Sequence, residues 1–267
     1  MTVAAPVQPR RSVWDSIKVV LLPAVPFLLI IALWASVRAV YDNPISVLPR
    51  IADTFRVPFE DPNYWSNVRA SMWRLFLGFV VAATTGVFAG LIAGLSKRVA
   101  ETLNPIVTAM NAISGIAWIP LAIAWLGIGT PMVVFIIWNA AFFLIFGNTM
   151  LGVRLTPQIL EDSLLTLGGS RRDVIRQVVF PGAMPYIMSG LRSGLGFGWR
   201  AVIAAELVGA SSGLGQWIFE QQEFARADKI VAGALTIGVI GMLMDRVLLA
   251  PLERRTIEKW GLVESTA

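Results

Sequence analysis

The stretch Leu75–Leu95, LFLGFVVAATTGVFAGLIAGL, contains no charged residue. A bilayer with a hydrocarbon core about 30 Å thick is crossed by a helix of about 20 mostly apolar residues. The stretch therefore predicts a transmembrane helix. Five further segments satisfy the same criterion, at about Val19–Val40, Pro105–Leu126, Met132–Leu151, Ile187–Val208 and Ile230–Ala250. The six segments together predict an all-α, polytopic membrane protein with six transmembrane helices.

The composition of the 267-residue chain agrees with this class. Charged residues make up only 15 % of the chain, whereas soluble domains average about 25 %. Histidine and cysteine are both absent, which removes the commonest general base, the commonest metal ligand and any disulfide. We therefore expect that the chain is not an enzyme and binds no metal or cofactor. We assign its net charge of +5 to cytoplasmic loops rather than to nucleic acid binding.

Lysine and arginine near the segment ends predict the orientation, because cytoplasmic loops carry an excess of these residues. Most of them lie on one side if residues 1–18 and 251–267 are cytoplasmic tails and residues 152–186 are an inner loop. Residues 19–250 then form the transmembrane domain. The outer loop Tyr41 to Arg74 contains four prolines, which predict an extended chain or short pieces. Within it, Asn67–Arg74 is expected to start an amphipathic helix that leads into the second span.

Small residues recur at every fourth position in the second and fifth spans. They predict faces on which helix backbones approach closely, and they are Gly86, Gly90 and Gly94, and Gly190, Gly194 and Gly198. The third span is interrupted, because Ser114-Gly115 is followed by Pro120. Broken helices are tolerated in a membrane only where their backbone is buried in protein or lines a water-filled path.

The inner loop, residues 152–186, is predicted to be a helix, a glycine turn and a second helix. Glu161-Asp162 form the acidic first turn, and Gly168-Gly169 break the first helix. Ser170 is predicted to cap the second helix with Asp173 at its third position. Leu164, Leu165 and Leu167 form one apolar face, and Val174, Ile175, Val178 and Val179 form another. Pro181 and Pro185 are expected to end the second helix, and the whole is suited to docking another protein.

The loop resembles the EAA loop of ABC-transporter permeases. Asp162-Ser163-Leu164 is followed after three residues by Gly168, after nine more by Val178, and after one more by Phe180-Pro181. In that family the pattern reads Glu-Ala-Ala, three residues, Gly, nine residues, Ile, one residue, Leu-Pro. The segments Ala117–Gly129 and Glu253–Gly261 are also similar to the nitrate, sulfonate, taurine and bicarbonate permease group. Asp162 and Ser163-Leu164 depart from the pattern.

The resemblance implies a type I ABC importer permease fold with a cytoplasmic coupling helix, in the inner membrane of a bacterial cell. Two permease subunits, expected to be identical, would form one path across the bilayer. Two ATPase subunits that bind ATP and Mg would dock on the loop, and a solute-binding protein would deliver a small solute. The sequence lacks the phosphate loop G-x-x-x-x-G-K-[ST], so ATP hydrolysis is assigned to the partners. The coupling residues implied are Glu161, Asp162, Gly168, Gly169, Ser170, Val178 and Pro181.

The expected solute is a small anion such as nitrate, bicarbonate, an organosulfonate or an organic carboxylate. Candidate residues of the translocation path are Arg200, Asn139, Trp118 and Glu206, because polar and ionisable groups inside spans are costly. Arg200 either pairs with Asp245 or Glu206, or faces the path and attracts anions.

Glu206 is expected either at an outer gate or as a cap at the membrane interface. Arg192 is expected to extend to the interface, and Asp245 and Arg246 are expected to form a structural pair.

Two alternatives come from other classes of protein. An ion-coupled secondary transporter would work without an ATPase partner and would have acidic residues buried at mid-membrane. A membrane-embedded enzyme would need a cluster of bases or metal ligands in the spans.

Overall fold

The computed structural model describes residues 13–40 and 49–251, and every regular element in these ranges is helical. Residues 1–12 and 252–267, with most of the predicted tails and the segment Glu253–Gly261, lie outside the described residues. The same is true of residues 41–48 of the predicted outer loop. The described elements are α1 (Val13–Val40), α2 (Ile51–Glu60), α3 (Tyr64–Leu95), α4 (Lys97–Ala112), α5 (Ile119–Leu126), α6 (Thr130–Arg154), α7 (Gln158–Thr166), α8 (Arg171–Val174), α9 (Phe180–Gly209), α10 (Leu214–Glu223) and α11 (Ala227–Leu243).

The chain divides into two compact units, of which the first ends at Arg56 and the second begins at Val57. In the first unit, the indole Nε1 of Trp34 in α1 donates a hydrogen bond to the carbonyl oxygen of Pro49, at 3.1 Å. Helix α2 begins shortly after Pro49, so the predicted outer loop contains a short helix, as its prolines suggested. The second unit contains the remaining helices and all candidate functional residues.

Helix α6 is the centre of the second unit and lies between α3 and α9. The small-residue faces of α3 and α9 both contact it, as predicted. A Cβ added to Gly90 would lie 2.6 Å from Cβ of Thr149, and one added to Gly94 would lie 2.5 Å from Cβ of Val153. On the other side, a Cβ at Gly190 would lie 2.8 Å from Cβ of Asn148. These glycines therefore set the close approach of the three helices.

The second span begins earlier than predicted. Helix α3 starts at Tyr64 and continues without a break to Leu95, so the expected amphipathic start, Asn67–Arg74, is part of the span helix itself. Its buried residues Tyr64, Val68, Ser71 and Leu75 recur at three- and four-residue spacing, which is the spacing of one helix face.

The third span is broken, as the sequence indicated. Helix α4 ends at Ala112, a 3₁₀ turn covers Gly115–Trp118, and α5 follows at an angle of 89° to α4. The expectation of one span over Pro105–Leu126 is therefore too simple, because the backbone changes direction at Ile113 and Ser114. Helix α5 ends at Gly127, whose φ of +73° favours glycine.

Pro181 and Pro185 do not end the second helix of the inner loop, so that prediction is wrong. Helix α8 continues through a π turn, Ile175–Val179, directly into α9. A proline lacks the N–H that would donate to the carbonyl four residues earlier, and its ring crowds that carbonyl. The wider π turn immediately before Pro181 accommodates this loss without breaking the helix.

The number of spans is consistent with the predicted class. Among the described residues, three helices are long and apolar enough to cross a bilayer, namely Tyr64–Leu95, Thr130–Arg154 and Ala227–Val247. The bent pairs Lys97–Leu126 and Arg171–Glu223 raise the number to five if each is one span. In the described part of the chain, helix α1 contributes only a shorter apolar stretch, Leu28–Val40. The count of six spans therefore stays a prediction.

Candidate functional site

The inner loop has the predicted helix–turn–helix form. Gly168 has a φ of +89°, which an L side chain rarely adopts. A Cβ at Gly169 would lie 2.8 Å from the carbonyl oxygen of Leu164. Ser170 and Asp173 form the predicted capping box, in which the Asp173 backbone N–H donates to Ser170 Oγ and the Ser170 backbone N–H donates to Asp173 Oδ2. The turn is thus fixed by two glycines and one cap.

An apolar cluster holds this loop against the membrane domain. Val174 and Val179 are buried together with Val153 at the end of α6 and with Ala183 and Ile187 of α9. Leu164 and Leu165 pack against the same cluster, and Pro181 is buried. Val178 is half-buried and Ile175 is 39 % exposed, so Ile175 is not part of the buried face.

The outer surface of the loop is apolar. Leu167 is 84 % exposed, Ile159 is 70 % exposed and Leu160 is 51 % exposed. The prediction that Leu167 shares the face of Leu164 and Leu165 is therefore wrong, because the turn at Gly168 directs it outward. Asp162 is exposed and Glu161 half-buried, so the same short helix also presents acidic groups.

At the opposite end of the domain, a buried ion pair joins α3 to α9. Arg74 Nη1 donates to Glu206 Oε1 at 2.8 Å, and their side chains are 6 % and 0 % exposed. The Glu206 carboxylate also accepts hydrogen bonds from Ser71 Oγ and from the backbone N–H of Gly215, at 2.7 and 3.1 Å. Arg74 donates in addition to Ser212 and to Thr130 Oγ1. This outer network links α3, α6 and α9 to the start of α10.

The outer network corrects the expectation that Glu206 caps its span at the membrane interface. Its carboxylate is enclosed in protein and its charge is matched by Arg74. Sequence reasoning missed Arg74 and Ser71 as its partners. The available signal was that the two spans carry charges of opposite sign near the same end, Arg74 in one and Glu206 in the other.

A second ion pair lies beside the outer network. Lys229 Nζ donates to Asp61 Oδ2 at 2.6 Å. Burial raises the pKa of Asp61, but the hydrogen bonds from Lys229 and from the Asn63 backbone N–H outweigh it, so the pKa lies below its ordinary value. Both residues line a polar cavity of about 380 Å³, together with Asn63, Asn67, Ser66, Ser211, Ser212, Gln216, Trp217, Glu220 and Gln221.

Asp245 pairs with Arg192 rather than with Arg246, so the predicted pair is wrong. Arg192 donates to both carboxylate oxygens of Asp245, at 2.8 and 3.0 Å. Asp245 lies in a π turn, Met244–Leu249, that follows α11. Arg192 therefore joins α9 to the end of α11, instead of simply extending to the interface.

The remaining candidate path residues are separated from these pairs. Arg200 is exposed, and its guanidinium carbon lies 5.4 Å from the ring centroid of Phe197. Its expected pairing with Asp245 or Glu206 is wrong, because each carboxylate has another arginine. Asn139 is only 6 % exposed. Trp118 packs edge-on against Phe135, and among the described residues its buried Nε1 has no hydrogen-bond partner.

The described helices, with their candidate membrane spans and the helix–turn–helix inner loop, define the class of all-helical membrane proteins. Residues 86–256 match the family described as binding-protein-dependent transport system inner membrane component. The chain belongs to this family, and the sequence-based assignment to ABC permeases is confirmed.

Relatives and solved structures agree with this family. The taurine transport system permease protein TauC of Escherichia coli is 35 % identical, over 77 % of this chain and 74 % of its own length. The putative aliphatic sulfonates transport permease protein SsuC of Bacillus subtilis is 32 % identical, over 95 % and 91 %. A solved amino acid ABC transporter has the same fold, with a TM-score of 0.62 at 15 % identity, over 76 % of this chain and 98 % of its own.

Proposed function

We propose that this chain is the permease subunit of an ATP-driven importer for a small anion. The relatives named for taurine and aliphatic sulfonates support an anionic solute, and nitrate and bicarbonate permeases are also among the relatives. In this proposal two copies form the path, two ATPase subunits bind ATP and Mg, and a solute-binding protein delivers the solute. Both chain termini lie in the cytoplasm.

One observation carries the coupling part of the proposal, namely the exposed apolar side chains of the inner loop. Leu167, Ile159 and Leu160 project from a short helix that is fixed by a capped turn and anchored on buried valines. Exposed apolar groups on a rigid support are typical of a protein interface. A force applied to this helix would pass through the contacts of Leu164 and Leu165 with the buried cluster around Val174. From there it would enter α9 directly, since α8, the π turn and α9 are continuous.

The test is co-purification of the full chain with its ATPase after a single substitution. Leu167→Asp places a charge in the centre of the proposed interface, and we expect the complex to be lost. Phe224→Asp is the matched control, because Phe224 is 71 % exposed at the other end of the domain. A complex that survives Leu167→Asp would contradict the coupling role of this loop. Point variants are preferable to deleting Asp162–Gly168, because Leu164 and Leu165 support the domain.

In the translocation path, we propose that Arg200 attracts the anion, and that Asn139 and Trp118 lie along the route. Exposed arginine at membrane depth is costly unless it meets water, protein or a ligand. Glu206 is left out of the path, because its carboxylate is engaged by Arg74, by Ser71 and by the backbone N–H of Gly215.

An ion-coupled secondary transporter has less support. Glu206 is the buried acid that such a carrier would need, but its ion pair with Arg74 leaves no free carboxylate for a coupling ion. Uptake that persists after removal of the ATPase subunits would favour the carrier.

A further inference from the structure

The broken third span places polar backbone at membrane depth. Helix α4 ends at Ala112, and Ile113 and Ser114 have extended backbone angles. The last carbonyls of a helix and the first N–H groups of the next have no partner within their own helices. In this break the Ile113 N–H bonds to the Met110 carbonyl and the Ala117 N–H to the Ser114 carbonyl. The break therefore concentrates polar groups in Asn111–Gly115, which we call the break segment.

The depth of the break segment follows from its neighbour in α6. A Cβ built on Gly115 would lie 3.9 Å from Cβ of Ala140. Ala140 lies ten residues after the start of α6 at Thr130 and fourteen before its end at Arg154. With a rise of 1.5 Å per residue, these distances are about 15 and 21 Å. The break segment thus lies near the middle of the bilayer and not at its surface.

The break segment is also open on one side. Asn111, Ala112, Ile113 and Ser114 are all exposed. Irregular backbone cannot face lipid, because each unsatisfied polar group costs several kcal/mol there. Helix α3 shows the contrast, since its exposed Thr84 and Thr85 return their hydroxyls to the carbonyls of Val80 and Val81. These threonines are compatible with lipid, whereas the break segment is not.

We infer that the break segment lines the water-filled translocation path and contacts the hydrated solute in transit. This inference rests on the proposed function, because it takes the chain to be a permease. It assigns the contact to Asn111, Ser114 and the adjoining backbone of Gly115. Trp118 follows one turn later, and its buried Nε1 has no hydrogen-bond partner within residues 13–40 and 49–251.

Thiol labelling tests the inference directly, because the chain contains no cysteine. Ser114→Cys and Asn111→Cys are each introduced into the full chain in membrane vesicles and treated with the anionic reagent MTSES or the cationic reagent MTSET. The control is Val239→Cys, because Val239 is 50 % exposed on α11. It lies two residues from Ile237, whose carbonyl accepts a hydrogen bond from Trp199. Gly198, which precedes Trp199, packs on Ile137 of α6. Ile137 lies one helical turn before Ala140, so Val239 lies at nearly the same depth in the bilayer as Ala140.

We expect both break-segment cysteines to react about tenfold faster than the control or more, because only a thiolate reacts and it forms where water reaches the sulfur. Labelling of all three variants in detergent-denatured samples shows that each thiol is present. The inference would be overturned if Ser114→Cys and Asn111→Cys react no faster than Val239→Cys. It would also be overturned if these cysteines instead form a disulfide between two copies of the chain. Each rate is divided by the rate of the same reagent with a small thiol in solution, because an anionic thiolate reacts intrinsically faster with the cationic reagent. Equal normalised rates would support the path and contradict an anionic solute. Co-purification with the ATPase tests the proposed function in a separate experiment. A failure of the labelling result can therefore be distinguished from a failure of the proposed function.

Discussion

Gly213 is a residue whose missing side chain shapes the outer network. Its φ is +110°, and an added Cβ would lie 2.2 Å from Glu206 Oε1. Its backbone N–H donates to Asn67 Oδ1 at 2.7 Å. The glycine therefore allows the loop before α10 to approach the buried carboxylate, and no other residue fits both the space and the backbone angle.

Replacing Gly213 with alanine should destabilise the domain by about 1–3 kcal/mol, because the substitution combines backbone strain with a clash at Glu206. The measurement is the midpoint of thermal unfolding in detergent. Gly147→Ala is the matched control, since Gly147 lies in α6 and a Cβ added there would have no neighbouring atom within 4 Å, and a helix interior favours alanine. Equal midpoints for the two variants would argue against the close approach.

The Asp61–Lys229 pair gives a dependence on pH. Because the folded-state pKa of Asp61 lies below its ordinary value, its contribution to stability is complete above the unfolded pKa of about 3.9. That contribution is lost as the pH falls through the lower, folded-state pKa. We expect Asp61→Asn to lower the unfolding midpoint at pH 7, and the difference from the unmodified chain to shrink as the pH falls below about 4.

The exposed neighbour Glu60 provides the comparison for this effect. Glu60→Gln removes one carboxylate from the end of α2 without touching the pair with Lys229. If Asp61→Asn and Glu60→Gln lower the unfolding midpoint equally at pH 7, the ion pair is not the source of the lost stability.

Local residue signals were predictable, whereas long-range partners were not. The cap at Ser170 follows from a residue three positions away, so the sequence alone indicates it. The partner of Glu206 is Arg74, 132 positions earlier, and their contact depends on how α3 and α9 pack on α6. The contact between Asp245 and Arg192 also depends on helix packing. For this reason the sequence alone favoured the adjacent Arg246 as the partner of Asp245.

At the scale of elements, apolar runs and glycine spacing predicted the spans and their close faces. The error at Pro181 has a physical cause, because the π turn Ile175–Val179 accommodates the donor that proline lacks, and no residue pattern in the sequence marks a π turn. As a result, α8 and α9 form one continuous lever from the loop to the outer network. The break after Ala112 was indicated by Ser114-Gly115, although its 89° angle was not.

The capped start of α8 is the element whose loss is easiest to measure. Ser170→Ala should destabilise this turn by about 1 kcal/mol, because the Asp173 N–H loses its acceptor. Hydrogen exchange of residues 171–174 should become faster, and binding of the ATPase should weaken. Ser170→Thr should restore both. Ser66→Ala removes an exposed hydroxyl from α3 at the other end of the domain and should change neither. Unchanged exchange in Ser170→Ala would show that the cap does not hold the turn.

At the scale of the whole molecule, Arg200 connects the fold with the solute. It is exposed on α9 and has no carboxylate partner among the described residues. Arg200→Gln should reduce ATP-dependent uptake of nitrate by about tenfold, because a charge that concentrates anions is lost. Arg200→Lys should retain most of the uptake. Normal uptake by Arg200→Gln at normal expression would remove Arg200 from the path.

The buried pair of Arg74 and Glu206 also bears on how the protein is made. At about 5–20 residues per second, Arg74 leaves the ribosome roughly 7–26 s before Glu206. During this interval the nascent chain carries an arginine whose carboxylate has not yet been synthesised. A truncated chain that ends before α9 lacks Glu206, so the charge of Arg74 has no partner in the outer network. Burying that unpaired charge is costly, and the outer network does not form. The ion pair thus makes synthesis of α9 a condition for closing the outer network.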